Sequence, residues 1–148
     1  MSVVVDEKTL PKIAVRIVRL LEWRATAAAD INVRILIIED HAALARCIAE
    51  ALTDFGCVVA GHVSDLSSAL QAVQQGGFDV AVLDWTLRGE EAAPVAEVLL
   101  DGSCPFLVIS GHRGSTMPRR VQHAPFLQKP FTMCALNSAV KALVNRSC

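Results

Sequence analysis

A doubly wound α/β domain is the fold class this sequence predicts, with five parallel strands covered on both faces and a helical extension in front. Three observations carry that expectation. Short aliphatic runs alternate with amphipathic stretches from Arg34 onward. The runs are apolar at both parities, as in strands buried on both faces by helices. Polar residues follow the runs directly, where ligands bind in open sheets of this kind.

Residues 1–33 stand apart from this pattern. Thr9 and Pro11 fit an N-cap and first-turn pair, and Ile13, Ile17, Leu20 and Leu21 recur at helical spacing. Lys12, Arg16 and Arg19 form a basic stripe on the same helix, and Ala25 to Asn32 leads the chain out of it. The helix has no partner within its own segment, so it packs on the domain, on a second copy as a homodimer, or on another molecule. Two further readings stand beside these. The segment is a start artefact without fixed structure, or its basic stripe draws it weakly to a membrane surface, against which Glu22 and the early acids act.

The domain of residues 34–148 then builds in order. Arg34–Ile38 is a strand bounded by Glu39-Asp40, and Ala42–Phe55 is a helix ended by Gly56. Cys57–Ala60 is the second strand and Leu66–Gln75 the second helix, stopped by Gly76-Gly77. Asp79–Leu83 is the third strand, with Asp79 a solvated start and Asp84 at its end. Glu90–Leu100 is the third helix, with Pro94 awkward inside it. Pro105–Ile109 runs into Ser110-Gly111, Pro125–Gln128 into Lys129-Pro130, and Thr132–Val144 is the closing helix. The stretch between Ser110 and Lys129 shows no helical period.

Composition removes several function classes. At 148 residues the chain suits one domain with an appendage. Hydrophobic residues make up 53% and mean hydropathy is +0.42, yet the longest charge-free run, Leu66 to Phe78, has 13 residues. A membrane-spanning helix needs about 20 apolar residues. The net charge of −1 argues against a general nucleic-acid binder. Five cysteines without C-x-x-C spacing exclude zinc-ribbon and thioredoxin-like readings. No secretory signal is evident, so free thiols in a reducing cytoplasm are expected, with Cys47 and Cys134 as helix packing residues.

Glu39, Asp40, Asp84, Ser110 and Lys129 are the polar residues at the strand ends. Clustered carboxylates repel one another and raise at least one pKa, and a divalent cation relieves the strain. Mg²⁺ suits one or two carboxylates with water in its remaining positions. A carboxylate nucleophile beside an ammonium and a hydroxyl is the equipment of an aspartyl-phosphate.

The segments RILIIED (Arg34–Asp40), DVAVLDWTL (Asp79–Leu87), FLVISG (Phe106–Gly111) and FLQKPF (Phe126–Phe131) resemble the receiver domains of two-component response regulators. The resemblance covers residues 34–148 and implies a flavodoxin-like sheet of order 2-1-3-4-5. It implies Asp84 as phospho-acceptor, Asp40 as direct Mg²⁺ ligand with Glu39 beside it, and the main-chain carbonyl of Thr86 as third protein ligand. Ser110 takes the place of the switch hydroxyl and Gly111 that of the small residue leaving room for the phosphoryl group. Lys129 would pair with the phosphate, the Lys129–Pro130 bond would be cis, and Phe126 matches the switch aromatic. Trp85 is expected near the rim, its fluorescence reporting Mg²⁺ or phosphorylation. Asp84, Leu87, Gly89 and Glu90 fit D-x-x-L-x-G-E, a pattern of short receivers known mainly from alphaproteobacteria, which also have a reduced fourth helix.

The resemblance implies a cytoplasmic, single-domain regulator that takes a phosphoryl group from a histidine kinase or phosphotransfer protein and signals to a downstream protein. No output domain is expected, since about 17 residues follow Phe131. It would not be an enzyme beyond its own phosphoryl transfer and dephosphorylation. The alternatives are an adaptor that docks partners without phosphorylation, a phosphate sink, and a phosphohydrolase, which would want an acid where Thr86 stands. His41 reads as a solvent-facing helix start. His112, Arg113, Arg119, Arg120 and His123 read as a solvated loop or as a dock for an acidic partner.

Overall fold

A computed structural model describes Pro11, Ala14, residues 33–111 and residues 117–146. The expected N-terminal helix, apart from Pro11 and Ala14, lies outside the described residues, as do His112, Arg113 and Cys148. Ala14 N–H donates to the Pro11 carbonyl at 2.8 Å.

The elements are β1 (Arg34–Ile38), α1 (Ala42–Asp54), β2 (Val58–Val63), α2 (Leu66–Gln75), β3 (Val80–Asp84), β4 (Thr86–Leu87), β5 (Glu90–Glu91), α3 (Ala93–Asp101), β6 (Phe106–Ser110), β7 (Phe126–Gln128) and α4 (Met133–Arg146). Five strands form one parallel sheet in the order β2-β1-β3-β6-β7, and β4 and β5 form a separate antiparallel pair. This is the expected doubly wound order, with the two short strands set aside.

Strand alternation divides the core between the two faces. Ile35 and Ile37, with Val80, Val82, Leu107 and Ile109, pack under Ile48, Leu52, Leu136 and Val140 of α1 and α4. Leu36 and Ile38, with Ala81, Leu83 and Val108, pack under Val95, Ala96 and Leu99 of α3 and Ala69 of α2. Each fully buried Leu or Ile contributes about 1.5–3 kcal/mol.

Local signals set the helix ends. His41 caps α1, its Nδ1 accepting from Leu44 N–H at 3.3 Å, and its side chain is exposed as expected. Asp65 caps α2 through Ser68 N–H at 2.8 Å. Such caps satisfy amide donors that the first turn leaves open.

Five expectations need correction. The third helix begins at Ala93, because Glu90–Glu91 pairs with Thr86–Leu87 around Arg88-Gly89. Both turn residues have positive φ, 49° and 83°, as a tight hairpin of this handedness requires. Pro94 consequently sits in the first turn of α3, where its missing N–H has no bond to lose. The second strand runs on to Val63, since Gly61, His62 and Val63 pair with Leu36, Ile37 and Ile38. Asp79 is 3% exposed and accepts from Arg34 N–H at 2.8 Å, which ties the starts of β1 and β3. Cys47 and Cys134 are exposed, on the outer faces of their helices. Trp85 is 4% exposed and belongs to the core beneath the rim, its indole N–H buried without a hydrogen-bond partner.

Among the described residues between β6 and β7 there is no helix, and residues 117–124 run through turns. Met117 and Val121 are buried in the core there. Arg120 pairs with Glu97 and, at 2.8 Å, with Asp101 of α3, so part of the basic stretch is spent within the domain. Arg119 and His123 are exposed.

Candidate functional site

The register of the sheet decides which strand ends meet. Ile38 lies opposite Leu83, Asp84 opposite Ile109, and Ser110 opposite Gln128. The residues just beyond β1 and β7 therefore flank the ends of β3 and β6. The main chain reinforces the placement: Glu39 N–H donates to the Val63 carbonyl at 3.0 Å and Lys129 N–H to the Ser110 carbonyl at 2.8 Å.

Four charged side chains converge at this rim. Carboxylate oxygens of Glu39, Asp40 and Asp84 all lie within 4.8 Å of one another. Lys129 Nζ stands 3.1 Å from Glu39 Oε2 and 3.1 Å from Asp84 Oδ2. Glu39 is 1% exposed and Asp84 5%, while Asp40 is open on one side. Main-chain donors fix each acid: His41 N–H meets Glu39 Oε1 at 3.0 Å, Thr86 N–H meets Asp84 Oδ1 at 3.3 Å, and Arg88 N–H meets Asp40 Oδ2 at 2.9 Å. The β4–β5 turn thus reaches back to the end of β1.

Burial sets the electrostatics. It pushes Glu39 up to about 7, and the charge of Asp84 adds to the rise against the His41 N–H and Lys129. Burial also works upward on Asp40, but the Arg88 N–H and a bond with Glu39 hold that carboxyl below its usual value. Burial works against the Lys129 ammonium, yet its bonds to Asp84 and Glu39 raise it overall.

This donor set fits a hard divalent cation. Oxygens around a Mg²⁺ octahedron at 2.0–2.1 Å are about 3 to 4 Å apart, and the carboxylate oxygens here all lie within 4.8 Å of one another. A cation among them would offset both the burial of Glu39 and its repulsion from Asp84. Glu39, Asp40 and Asp84 are the side chains that could hold it.

The remaining expected residues take distinct places. Ser110 is buried at the end of β6, and Gly111 is exposed, with nothing within 4 Å of where a Cβ would stand. Phe126 begins the edge strand β7, half-buried against the α2–α3 side of the core. The Lys129–Pro130 peptide is cis. Two contributors escaped the sequence reading. His62 Nε2 lies 2.8 Å from the Glu39 carbonyl oxygen, and Arg88 bonds Asp40 through its main chain and Ser64 Oγ through its guanidinium at 3.2 Å. The Arg88-Gly89 pair carried the only local signal, a turn after a strand end; nothing near His62 marked it.

The response regulator receiver domain family matches residues 35–141. Two solved structures resemble the chain closely. SdrG from Sphingomonas melonis Fr1 is 37% identical with a TM-score of 0.67, covering 76% of this chain and 97% of that one. A response regulator receiver protein from Sinorhizobium medicae WSM419 is 31% identical with a TM-score of 0.69, covering 79% and 98%. Among curated proteins, the transcriptional regulatory protein TcrA of Mycobacterium tuberculosis is 32% identical over 121 residues, which take up 78% of this chain. The match spans only 47% of TcrA, about half its length. Chemotaxis protein CheY-3 of Vibrio cholerae is 24% identical and is covered over 94% of its length. Among the described residues, no helix is long and apolar enough to cross a membrane.

Proposed function

The chain belongs to the response regulator receiver family, and from that premise we propose that it accepts a phosphoryl group on Asp84 from a histidine kinase or phosphotransfer protein and signals through phosphorylation-dependent protein contacts. Residues 34–148 are the receiver and residues 1–33 an appended helix with its linker. The protein works in the cytoplasm as a regulator whose chemistry is limited to its own phosphorylation and dephosphorylation. Its placement of Asp84 against both Lys129 and the Glu39–Asp40 pair, with all three carboxylates in reach of one cation, is the observation that carries this reading.

In the proposed step an Asp84 carboxylate oxygen attacks the phosphorus of a phosphohistidine. The P–N bond breaks as the P–O bond forms, and the leaving imidazole keeps the electron pair. Glu39, Asp40, Asp84 and the Thr86 main-chain carbonyl would hold Mg²⁺, which when bound neutralises the carboxylates and the equatorial phosphoryl oxygens. Lys129 exchanges its carboxylate partners for a phosphoryl oxygen. The Ser110 hydroxyl donates to another, and Gly111 leaves space for the group. Those movements at Ser110 and Lys129 are passed to β7, where Phe126 follows as the switch aromatic.

Incubation with Mg²⁺ and acetyl phosphate tests the proposal. Intact mass should rise by one phosphoryl group, and Asp84→Asn should abolish the gain. An unlabelled wild-type chain that melts cooperatively, or equal labelling of Asp84→Asn, would overturn the assignment.

A further inference from the structure

At the opposite end of the sheet, α1 and α4 part around an open apolar groove with a volume of about 170 Å³. Val33, Leu52, Phe55, Val140 and Val144 line it, together with Asn137. A cavity of about 150 Å³ accepts a benzene-sized group, so one or two aliphatic side chains fill this one. We propose that the groove is the dock for the amphipathic segment 12–24 of the same chain, with the face of Ile13, Ile17, Leu20 and Leu21 turned into it.

The open surface of the groove and the tether to it point to that occupant. Phe55 is 49% exposed and Val58 41%, the large hydrophobics of the described residues left most open to water. Phe55 lines the groove, and an aromatic ring left open there is surface that an apolar helix face would cover.

Tethering decides between the candidate occupants. Val33 lies in the wall of the groove and is also the residue through which the segment joins β1. Residues 22–32 span at most about 3.3–3.6 Å each, so Leu21 can reach the groove with slack. A tether that short sets an effective concentration in the millimolar range, which a second copy or another protein would have to exceed.

The thiol of Cys57 lies in the groove and reads its cover directly. Maleimide labelling of the full chain at pH 8, resolved by peptide mass, follows Cys57 against exposed Cys47 and buried Cys104. In Ile17→Asp/Leu21→Asp, Cys57 should label about tenfold faster, the factor corresponding to 1.4 kcal/mol of docking. Cys47 and Cys104 should keep their rates, and Ile13→Asp/Leu20→Asp should behave alike. Equal Cys57 rates in all three chains would overturn the proposal. So would a parallel rise at Cys104, which would locate the effect in the whole fold. Cys57 protection that grows with protein concentration, alongside a dimer mass by light scattering, would assign the groove to a second copy instead. The readout does not involve Asp84, so it stands or falls independently of phosphorylation.

Discussion

Carboxylates are buried at both ends of this sheet, under opposite conditions. At the amino end Asp79 is 3% exposed and accepts the Arg34 N–H at 2.8 Å, joining two strand starts. At the carboxyl end Glu39 and Asp84 are as deeply buried, but they face each other and Asp40 with Lys129 as the ammonium among them. Asp79 is held by a main-chain donor of the neighbouring strand and serves the fold. Glu39 carries a raised pKa because burial and a neighbouring negative charge both oppose its ionisation. Strain of that kind persists where the surrounding packing enforces it, and it leaves a site prepared for a cation.

The contrast can be tested from its strongest consequence downward. Removing the rim's cation in Lys129→Met should slow labelling by acetyl phosphate about 100-fold, in the range lost with a group that stabilises developing charge. Time-resolved intact mass measures the rate, and Lys141→Ala at the amino end should leave it unchanged. Loss of less than a few-fold in Lys129→Met would remove the lysine from the proposed chemistry.

Asp79→Ala should destabilise the chain by about 1–3 kcal/mol, because the part-buried Arg34 N–H loses its acceptor. Urea unfolding would show it, with phosphorylation by acetyl phosphate unaffected under folding conditions. A variant as stable as wild type would make Asp79 a bystander.

Glu39→Gln should act with the opposite sign. The folded pKa of Glu39 is about 7 against 4.5 for the free side chain, so the folded state holds the proton more tightly. Between those values the unfolded chain binds fewer protons than the folded one, and stability falls as pH rises. In EDTA, wild type should therefore lose stability relative to Glu39→Gln from about pH 5 to pH 7.5, by an amount on the order of 2 kcal/mol. Parallel unfolding curves across that range would contradict the burial-driven shift. Mg²⁺ should restore the wild type and leave Glu39→Gln little changed.

Arg120→Ala lies at the small end of the scale. Its pairs with Glu97 and Asp101 are solvent-exposed, and such pairs contribute little to stability. Thermal melting should show no resolvable change. A clear drop would mean that this contact holds the 117–124 turns against α3.

Much of the fold was legible because its signals are local. RILII, DVAVL and FLVIS are aliphatic at both parities, and a parallel sheet places all their carboxyl ends on one edge. Glu39, Asp40, Asp84, Ser110 and Lys129 could be gathered on that basis before any contact was known. The helix from Glu90 failed because amphipathic spacing cannot register that Arg88 and Gly89 adopt positive φ and fold Glu90–Glu91 back onto Thr86–Leu87. Asp79 was misplaced because charge predicts solvation, whereas its bond to Arg34 depends on a strand pairing 45 residues away. Cys47 and Cys134 were misplaced because helical phase alone does not reveal which side of a helix meets the sheet.

By itself, then, the sequence determined the layering of the domain, the order of its elements and the set of polar residues at the strand ends, since propensity, periodicity and capping act within a few residues. Tertiary structure decided how neighbouring residues divide their roles: Glu39 buried and Asp40 open, Lys129 bridging acids 45 and 90 positions away, and His62 and Arg88 bracing the rim through the main chain. It also opened the groove at the other end of the sheet. These features depend on register and burial, which arise when distant segments pack together and set both the dielectric around a charge and the partners within its reach.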